Sequence, residues 1–217
     1  MCGRFKLVTS LPDILAAFGA TTRLNGADWG HGREQITPCM DCPVLIHGQL
    51  GLARWGLVPP WADNDKAGAK LKNARSETAH EKPSFRDGYE HHRCLIPANG
   101  FYEWSEGDTP RGKKKPCYYI HDPDDPLLAF AGLWSKWQNP ETGVDLVSFT
   151  ILTKPADGAI AAIHSRMPVI LRMPDAVHWY RADAPTRQAL MGGCTAKSLS
   201  ADLYQDASDG PKQAAFL

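Results

Sequence analysis

Four residues spread along the sequence carry side chains suited to one reaction: Cys2, Asn73, Glu103 and His164. Cys2 follows Met1, and a side chain that small permits removal of the methionine. The terminus left behind carries a free α-amine and a thiol on adjacent carbons. Such an amine condenses with an aldehyde to an imine, and the thiol can then close on the imine carbon to give a five-membered thiazolidine. An α-amine titrates near 7.7–8.0, so much of it is an unprotonated nucleophile at neutral pH. Glu103 lies between Tyr102 and Trp104. A carboxyl packed among aromatic rings holds its proton more tightly and can serve as both acid and base near neutrality. His164 ends an apolar segment, and imidazole is the usual proton shuttle at physiological pH. The Asn73 amide can hold an oxygen or an amine in place, and Arg75 can clamp a phosphate.

Each residue also has an ordinary reading. Cys2 can be an early residue without a role, Glu103 can face solvent on an edge strand, and His164 can be structural. Asn73 and Arg75 can cap the segment after Thr78. Cys39 and Cys42 have the spacing of half a zinc site, but Cys94, Cys117 and Cys194 stand singly and prolines bracket the pair, so no metal and no cofactor is expected. Pro38, Trp55 and Trp61 offer flat apolar faces, interleaved with the charges of Arg4, Lys70, Lys72, Arg75, Arg86 and Arg166. Stacking faces among cations are what a single-stranded nucleic acid needs.

The elements that must position these groups follow from patterning. Arg4 to Val8 reads as a strand. Ser10 to Ala20 reads as a helix, with Leu11, Ile14, Leu15 and Phe18 on one face, Ser10 as N-cap and Pro12 in the first turn. Residues 21–43 read mostly as loop. Val44–Ile46 and Gly51–Trp55 read as two strands turning at His47-Gly48. A lysine-bearing loop then leads into 73–78. Arg93 to Trp104 reads as a hairpin turning at Asn99-Gly100, because Asn-Gly between apolar runs is a strong hairpin signal. After a basic turn at 111–115, Cys117–Ile120, Leu128–Trp134 and Val147–Leu152 read as strands. Ile160–Ile163 has helical spacing, Val169–Leu171 reads as the last strand, and helices are expected from Pro174 to Tyr180 and over Arg187–Met191. The tail from about Ser200 is polar and weakly patterned. This predicts one strand-rich α+β domain over 1–217, with a barrel-like antiparallel sheet and flanking helices.

Bulk properties agree with one globular unit: 217 residues, 43% hydrophobic and 22% charged. Lys+Arg and Asp+Glu balance at 24 each, which argues against a general polyanion binder but permits a local basic patch. No apolar run approaches the ~18–20 residues that cross a membrane, and no signal peptide is evident. The expectation is an intracellular monomer, cytoplasmic or nucleoid-associated if bacterial, with reduced cysteines.

Six blocks then stand in a recognisable order: Met-Cys-Gly-Arg-Phe at 1–5, Trp-Gly-Leu-Val-Pro-Pro-Trp-Ala at 55–62, Asn-Ala-Arg-Ser-Glu-Thr at 73–78, Lys-Pro-Ser-Phe-Arg at 82–86, Arg-Cys-Leu-Ile-Pro-Ala-Asn-Gly-Phe-Tyr-Glu-Trp at 93–104, and Ile-His-Ser-Arg-Met-Pro-Val-Ile-Leu at 163–171. Over about residues 1–171 the chain resembles the SRAP family, the abasic-site processing proteins also named SOS response-associated peptidases. The resemblance implies single-stranded DNA bearing an abasic site as partner, favoured next to a duplex junction, and a thiazolidine link to the ring-opened aldehyde. By motif position it implies Cys2 as nucleophile, Glu103 handling protons in formation and reversal of the link, His164 assisting opening of the deoxyribose, and Asn73 positioning the reacting groups. It further implies that Arg4, Arg75 and Arg166 hold phosphates and that Pro38 and Trp61 stack bases; Arg86 adds charge nearby. The chain departs from the family pattern at Glu34–Pro38, at Asp157 and around Leu203–Asp206. A thiol peptidase using Cys2, His164 and Glu103, acting on Met1 or more widely, is the competing enzyme reading. A DNA-structure sensor and a zinc-bearing module are the non-enzymatic ones.

Overall fold

The alternation at the amino end forms strand β1 (Arg4–Leu7), with Phe5 and Leu7 buried and Arg4 and Lys6 half-buried. The computed structural model to which it belongs describes residues 2–24, 26–30, 32–107, 114–173, 175–193 and 195–205. Met1, Pro174, Cys194, most of the basic turn at 111–115 and the tail from Asp206 lie outside the described residues. Helix α1 (Leu11–Phe18) has the expected cap: Ser10 accepts from the Asp13 N–H, and Leu11, Ile14 and Phe18 are buried. Gly19 ends it at φ 56°, a left-handed value that glycine adopts without a Cβ clash.

Residues 21–43 hold more structure than the expected loop. Strand β2 (Thr21–Thr22), helix α2 (Gly26–Trp29) and strand β3 (Arg33–Ile36) precede β4 (Asp41–Ile46). β2 and β3 are short and owe their regularity to distant partners, β3 lying antiparallel to β1. β4 and β5 (Gln49–Trp55) form the expected hairpin, and His47 and Gly48 both have positive φ, as a tight two-residue turn requires. A 3₁₀ turn (Asp65–Lys70) leads to β6 (Asn73–Arg75), also expected as loop, and α3 (Pro83–His91) follows.

The hairpin expected over 93–104 is absent. β7 (Arg93–Ala98) and β8 (Gly100–Trp104) belong to different sheets and do not pair. Neither Asn99 nor Gly100 has the positive φ of a type I′ turn. Asn99 instead pins a crossover: its Oδ1 accepts from the Val8 N–H at 2.7 Å and the Thr9 N–H at 3.3 Å, and its Nδ2 donates to Thr9 Oγ1 at 2.7 Å and Pro126 O at 2.6 Å. The side-chain amide satisfies neighbouring loops rather than a turn of its own.

β9 (Cys117–His121), β10 (Leu128–Gln138) and β11 (Asp145–Pro155) form where alternation predicted them. The apolar stretch near 160 is a 3₁₀ turn (Gly158–Ala162), followed by β12 (Arg166–Pro168) and β13 (Ile170–Leu171). The segment expected to form a helix up to Tyr180 is 3₁₀ over Asp175–Arg181, and α4 spans Ala184–Gly193. The polar tail contains a further strand, β14 (Ser200–Tyr204), antiparallel to β9.

Among the described residues, one five-stranded sheet runs β14-β9-β8-β1-β3. In the larger sheet β5, β4, β7, β10 and β11 pair in succession, and a parallel contact of β11 with β5 closes the ring. The fold is therefore α+β with a closed five-strand barrel. Phe5 and Phe101 from the smaller sheet pack on Trp55 and Phe130 of the barrel at 5.2–6.0 Å between ring centroids. Full burial of each such side chain contributes about 1.5–3 kcal/mol. Those rings join the two sheets along a seam.

Candidate active site

Period-two alternation sends Phe101 and Glu103 of β8 inward together, onto the face that Phe5 shares across the β1–β8 ladder. Phe101 ends in the apolar core. Glu103, one step further along, ends at the open edge of the seam and is 2% exposed. Cys2 precedes β1 and is fully buried there, its thiol donating to the Arg4 carbonyl at 3.8 Å. From the barrel side come Asn73, at the start of β6 beside Ile151 of β11, and His164, between a 3₁₀ turn and β12. The Asn73 Nδ2 donates to the Cys2 carbonyl at 2.6 Å. His164 Nε2 lies 3.9 Å from Glu103 Oε2. The two sheets thus bring all four predicted residues to one place.

The electrostatics suit proton transfer. Burial pushes the Glu103 carboxyl up to about 7, so near neutral pH it can give or take a proton. Burial also pushes the Cys2 thiol up, and the Glu103 carboxylate adds to that, so the sulfur stays protonated at rest. Burial lowers His164, favouring neutral imidazole. The Arg166 N–H donates to His164 Nδ1 at 2.9 Å. Asn73 Oδ1 is buried and has no hydrogen-bond partner among the described residues, which leaves an acceptor open beside Cys2.

The predicted DNA contacts are distributed around this centre. The Arg4 guanidinium lies over the Trp104 ring at 4.9 Å. Arg75 is exposed on β6, two residues beyond Asn73, and Arg86 is exposed on α3. Trp61 is 67% exposed and stands free to stack, whereas Trp55 is fully buried as core. Pro38 is half-buried in the turn before β4. Arg166 is engaged: it pairs with both Glu77 oxygens at 2.5 and 3.0 Å and donates to the Thr153 carbonyl at 2.5 Å. That pairing holds the Glu77 carboxyl below its usual range. Cys39 is exposed at φ 72°, while Cys42 is buried in β4. No group of three or more His, Cys, Asp or Glu gathers as a metal site among the described residues. Asp157, at one of the departures from the family pattern, accepts from the Ala196 N–H at 2.7 Å and so ties down the segment before β14.

Two acidic residues at the site were not singled out from sequence. Glu77 falls inside a motif that drew attention to Asn73 and Arg75. Glu106, whose Oε1 is 3.1 Å from His164 Nε2, had no signal beyond standing three residues after Glu103.

At the seam of this small closed barrel a buried thiol and a buried carboxyl meet a half-buried imidazole. The chain belongs to the SOS response associated peptidase (SRAP) family, whose profile matches residues 1–204. It is 37% identical to abasic site processing protein YoqW of Bacillus subtilis over 219 residues, covering 98% of this chain and 96% of that protein. It is 30% identical to abasic site processing protein HMCES of Xenopus tropicalis, covering 88% of this chain and 69% of that one. Among solved structures, a Bordetella bronchiseptica protein matches with a TM-score of 0.80 at 25% identity, covering 94% of this chain and 100% of that chain. A Bacteroides thetaiotaomicron protein, 21% identical, shares the fold with a TM-score of 0.82 over 97% of each chain.

Proposed function

We propose that this protein processes abasic sites in single-stranded DNA by linking itself covalently to them through Cys2. Once Met1 is removed, the Cys2 α-amine attacks the aldehyde carbon of the ring-opened deoxyribose. The resulting carbinolamine loses one water to give an imine. The thiol then adds across the carbon–nitrogen double bond, sulfur to carbon and its proton to nitrogen, which closes a thiazolidine. The balance is one aldehyde and one aminothiol in, one thiazolidine and one water out. Amine attack, water loss and ring closure each move a proton, and Glu103 moves them. His164 assists opening of the sugar, and Asn73 holds the Cys2 backbone. Reversal follows the same steps backwards. The named activity of the similar proteins, abasic site processing, supports this reading.

The observation that carries it is the buried Glu103 carboxyl, pushed up to about 7, beside an equally buried Cys2. A thiol peptidase wants the opposite, a thiolate stabilised by neighbouring positive charge. Here burial and Glu103 both favour the protonated thiol, which suits an amine that reacts first and a sulfur that follows. Trp61 and Arg75 supply stacking and phosphate contact at the rim, so binding to a chain of zero net charge is local and falls with salt. A single-stranded stretch beside a duplex junction is the expected context.

The test uses protein verified by mass to have lost Met1, mixed with single-stranded DNA carrying one abasic site. A denaturation-resistant adduct of the combined mass less one water is expected. It should vanish with intact DNA, with Cys2→Ala, and when the α-amine is capped. A folded, processed protein that forms no adduct would sink the proposal.

A further inference from the structure

Glu106 lies beyond the end of β8 with its side chain 50% exposed, yet it is held on several sides. Its backbone N–H donates to the Ile163 carbonyl at 2.8 Å. Its carboxylate accepts from the Ser165 N–H at 2.8 Å and the Ser165 hydroxyl at 3.2 Å. These bonds keep the carboxyl below its usual range, so it remains an acceptor at neutral pH. On the other edge of the His164 ring, Nδ1 accepts from the Arg166 N–H. A ring nitrogen that accepts from an amide carries no proton, so the neutral ring carries its proton on Nε2. That nitrogen lies 3.1 Å from Glu106 Oε1, while Glu103 Oε2 stands 3.9 Å from it on the buried side.

We infer that Glu106 is a positioning residue for the crosslinking reaction, fixing His164 in its Nε2–H tautomer with that edge turned into the site. The inference rests on the abasic-site reading above, because it concerns how His164 meets the sugar. The ring is held from both sides: the Arg166 amide excludes a proton on Nδ1, and the Glu106 carboxylate 3.1 Å away favours one on Nε2. A deoxyribose oxygen brought to this edge meets the Nε2–H and shares it with Glu106. A ring free to turn over, or to move its proton to Nδ1, would present a lone pair there instead. A neutral imidazole used as a hydrogen-bond donor is an established way to polarise a substrate oxygen.

The experiment reads the tautomer without DNA and the rate with it. In protein with ¹⁵N-labelled histidine, the ring-nitrogen shifts of His164 should report the Nε2–H form. Glu106→Ala should free the ring to turn away from the Arg166 amide, populate both tautomers and slow adduct formation about tenfold. Glu106→Gln, whose carbonyl can still accept from Nε2–H, should keep the tautomer and restore most of the rate; a purely structural requirement for the charge would not give that rescue. The inference is overturned if Glu106→Ala keeps both the tautomer and the rate, or if Glu106→Gln is as impaired as Glu106→Ala. A wild-type protein that forms no adduct counts against the proposed function, and the tautomer measurement still decides the role of Glu106.

Discussion

Arg93 opens β7 and Glu103 lies near the end of β8, and both are buried, at 6% and 2% exposure. Arg93 is satisfied on every nitrogen. Nε donates to the Trp179 carbonyl, Nη1 to those of Tyr89 and Glu90, and Nη2 to those of Tyr180 and Ala182. Two of those carbonyls lie in the last turn of α3, where a cation is favoured, and the others lie around the end of the 3₁₀ segment Asp175–Arg181. Arg187, 4% exposed, pairs beside it with both Glu90 oxygens. Around Glu103 burial leaves the opposite result: a carboxyl pushed up to about 7 and a neighbouring Asn73 oxygen with no hydrogen-bond partner among the described residues. A buried charge saturated with acceptors is a clamp. Under the proposed function, a buried acid whose ionisation costs energy serves as a reagent, because its proton is available to move.

The comparison can be broken most severely at the clamp. Arg93→Met removes the donor from five carbonyls, of which that of Ala182 keeps another side-chain donor in Arg187, and urea unfolding should show a loss of about 4 kcal/mol. Protein that is still folded should form the adduct at the wild-type rate. At the reagent, Glu103→Gln should slow adduct formation about 10²–10³-fold in single-turnover assays. The same substitution should change stability with the opposite sign. Because its folded pKa lies above the ordinary value, Glu103 contributes its full stability below about pH 4.5 and loses it as pH rises through about 7. Above pH 7, Glu103→Gln should therefore unfold later than the wild type, by up to roughly 3 kcal/mol. A variant less stable at pH 8 would mean that Glu103 is part of the clamp after all.

Smaller effects separate the centre from its rim. Trp61→Ala should weaken binding to single-stranded DNA by about 1–3 kcal/mol, measured by fluorescence anisotropy, with little change in the rate of the bound complex. Arg75→Ala should reduce the slope of log affinity against log salt by about one and leave specificity for the abasic site intact. If Arg75→Ala left that slope unchanged, the phosphate contact assigned to it would be wrong.

The site was more legible in the sequence than the topology. Cys2, Glu103 and His164 stand out by residue type, but alternation leaves open whether Glu103 faces solvent, and only the packing of the two sheets buries it. The Asn99-Gly100 pair misled because a local turn signal was answered by long-range partners, the Asn99 amide being committed to Val8, Thr9 and Pro126. β6 and β14 escaped notice because the first is only three residues long and the second is polar, so each is a strand only by virtue of its neighbour. The engagement of Arg166 by Glu77 was equally invisible, since a bidentate pair between residues far apart leaves no pattern in either segment.

The position of β1 between β3 and β8 has a consequence in time. β1 leaves the ribosome about 96 residues ahead of β8, an interval of roughly 5–20 s at ordinary elongation rates. Until β8 arrives, neither Glu103 nor the wall that buries Cys2 exists. Under the proposed function, an enzyme that trims Met1 during synthesis would meet an open strand end, and the aminothiol would gain Glu103 beside it only once β8 has paired with β1.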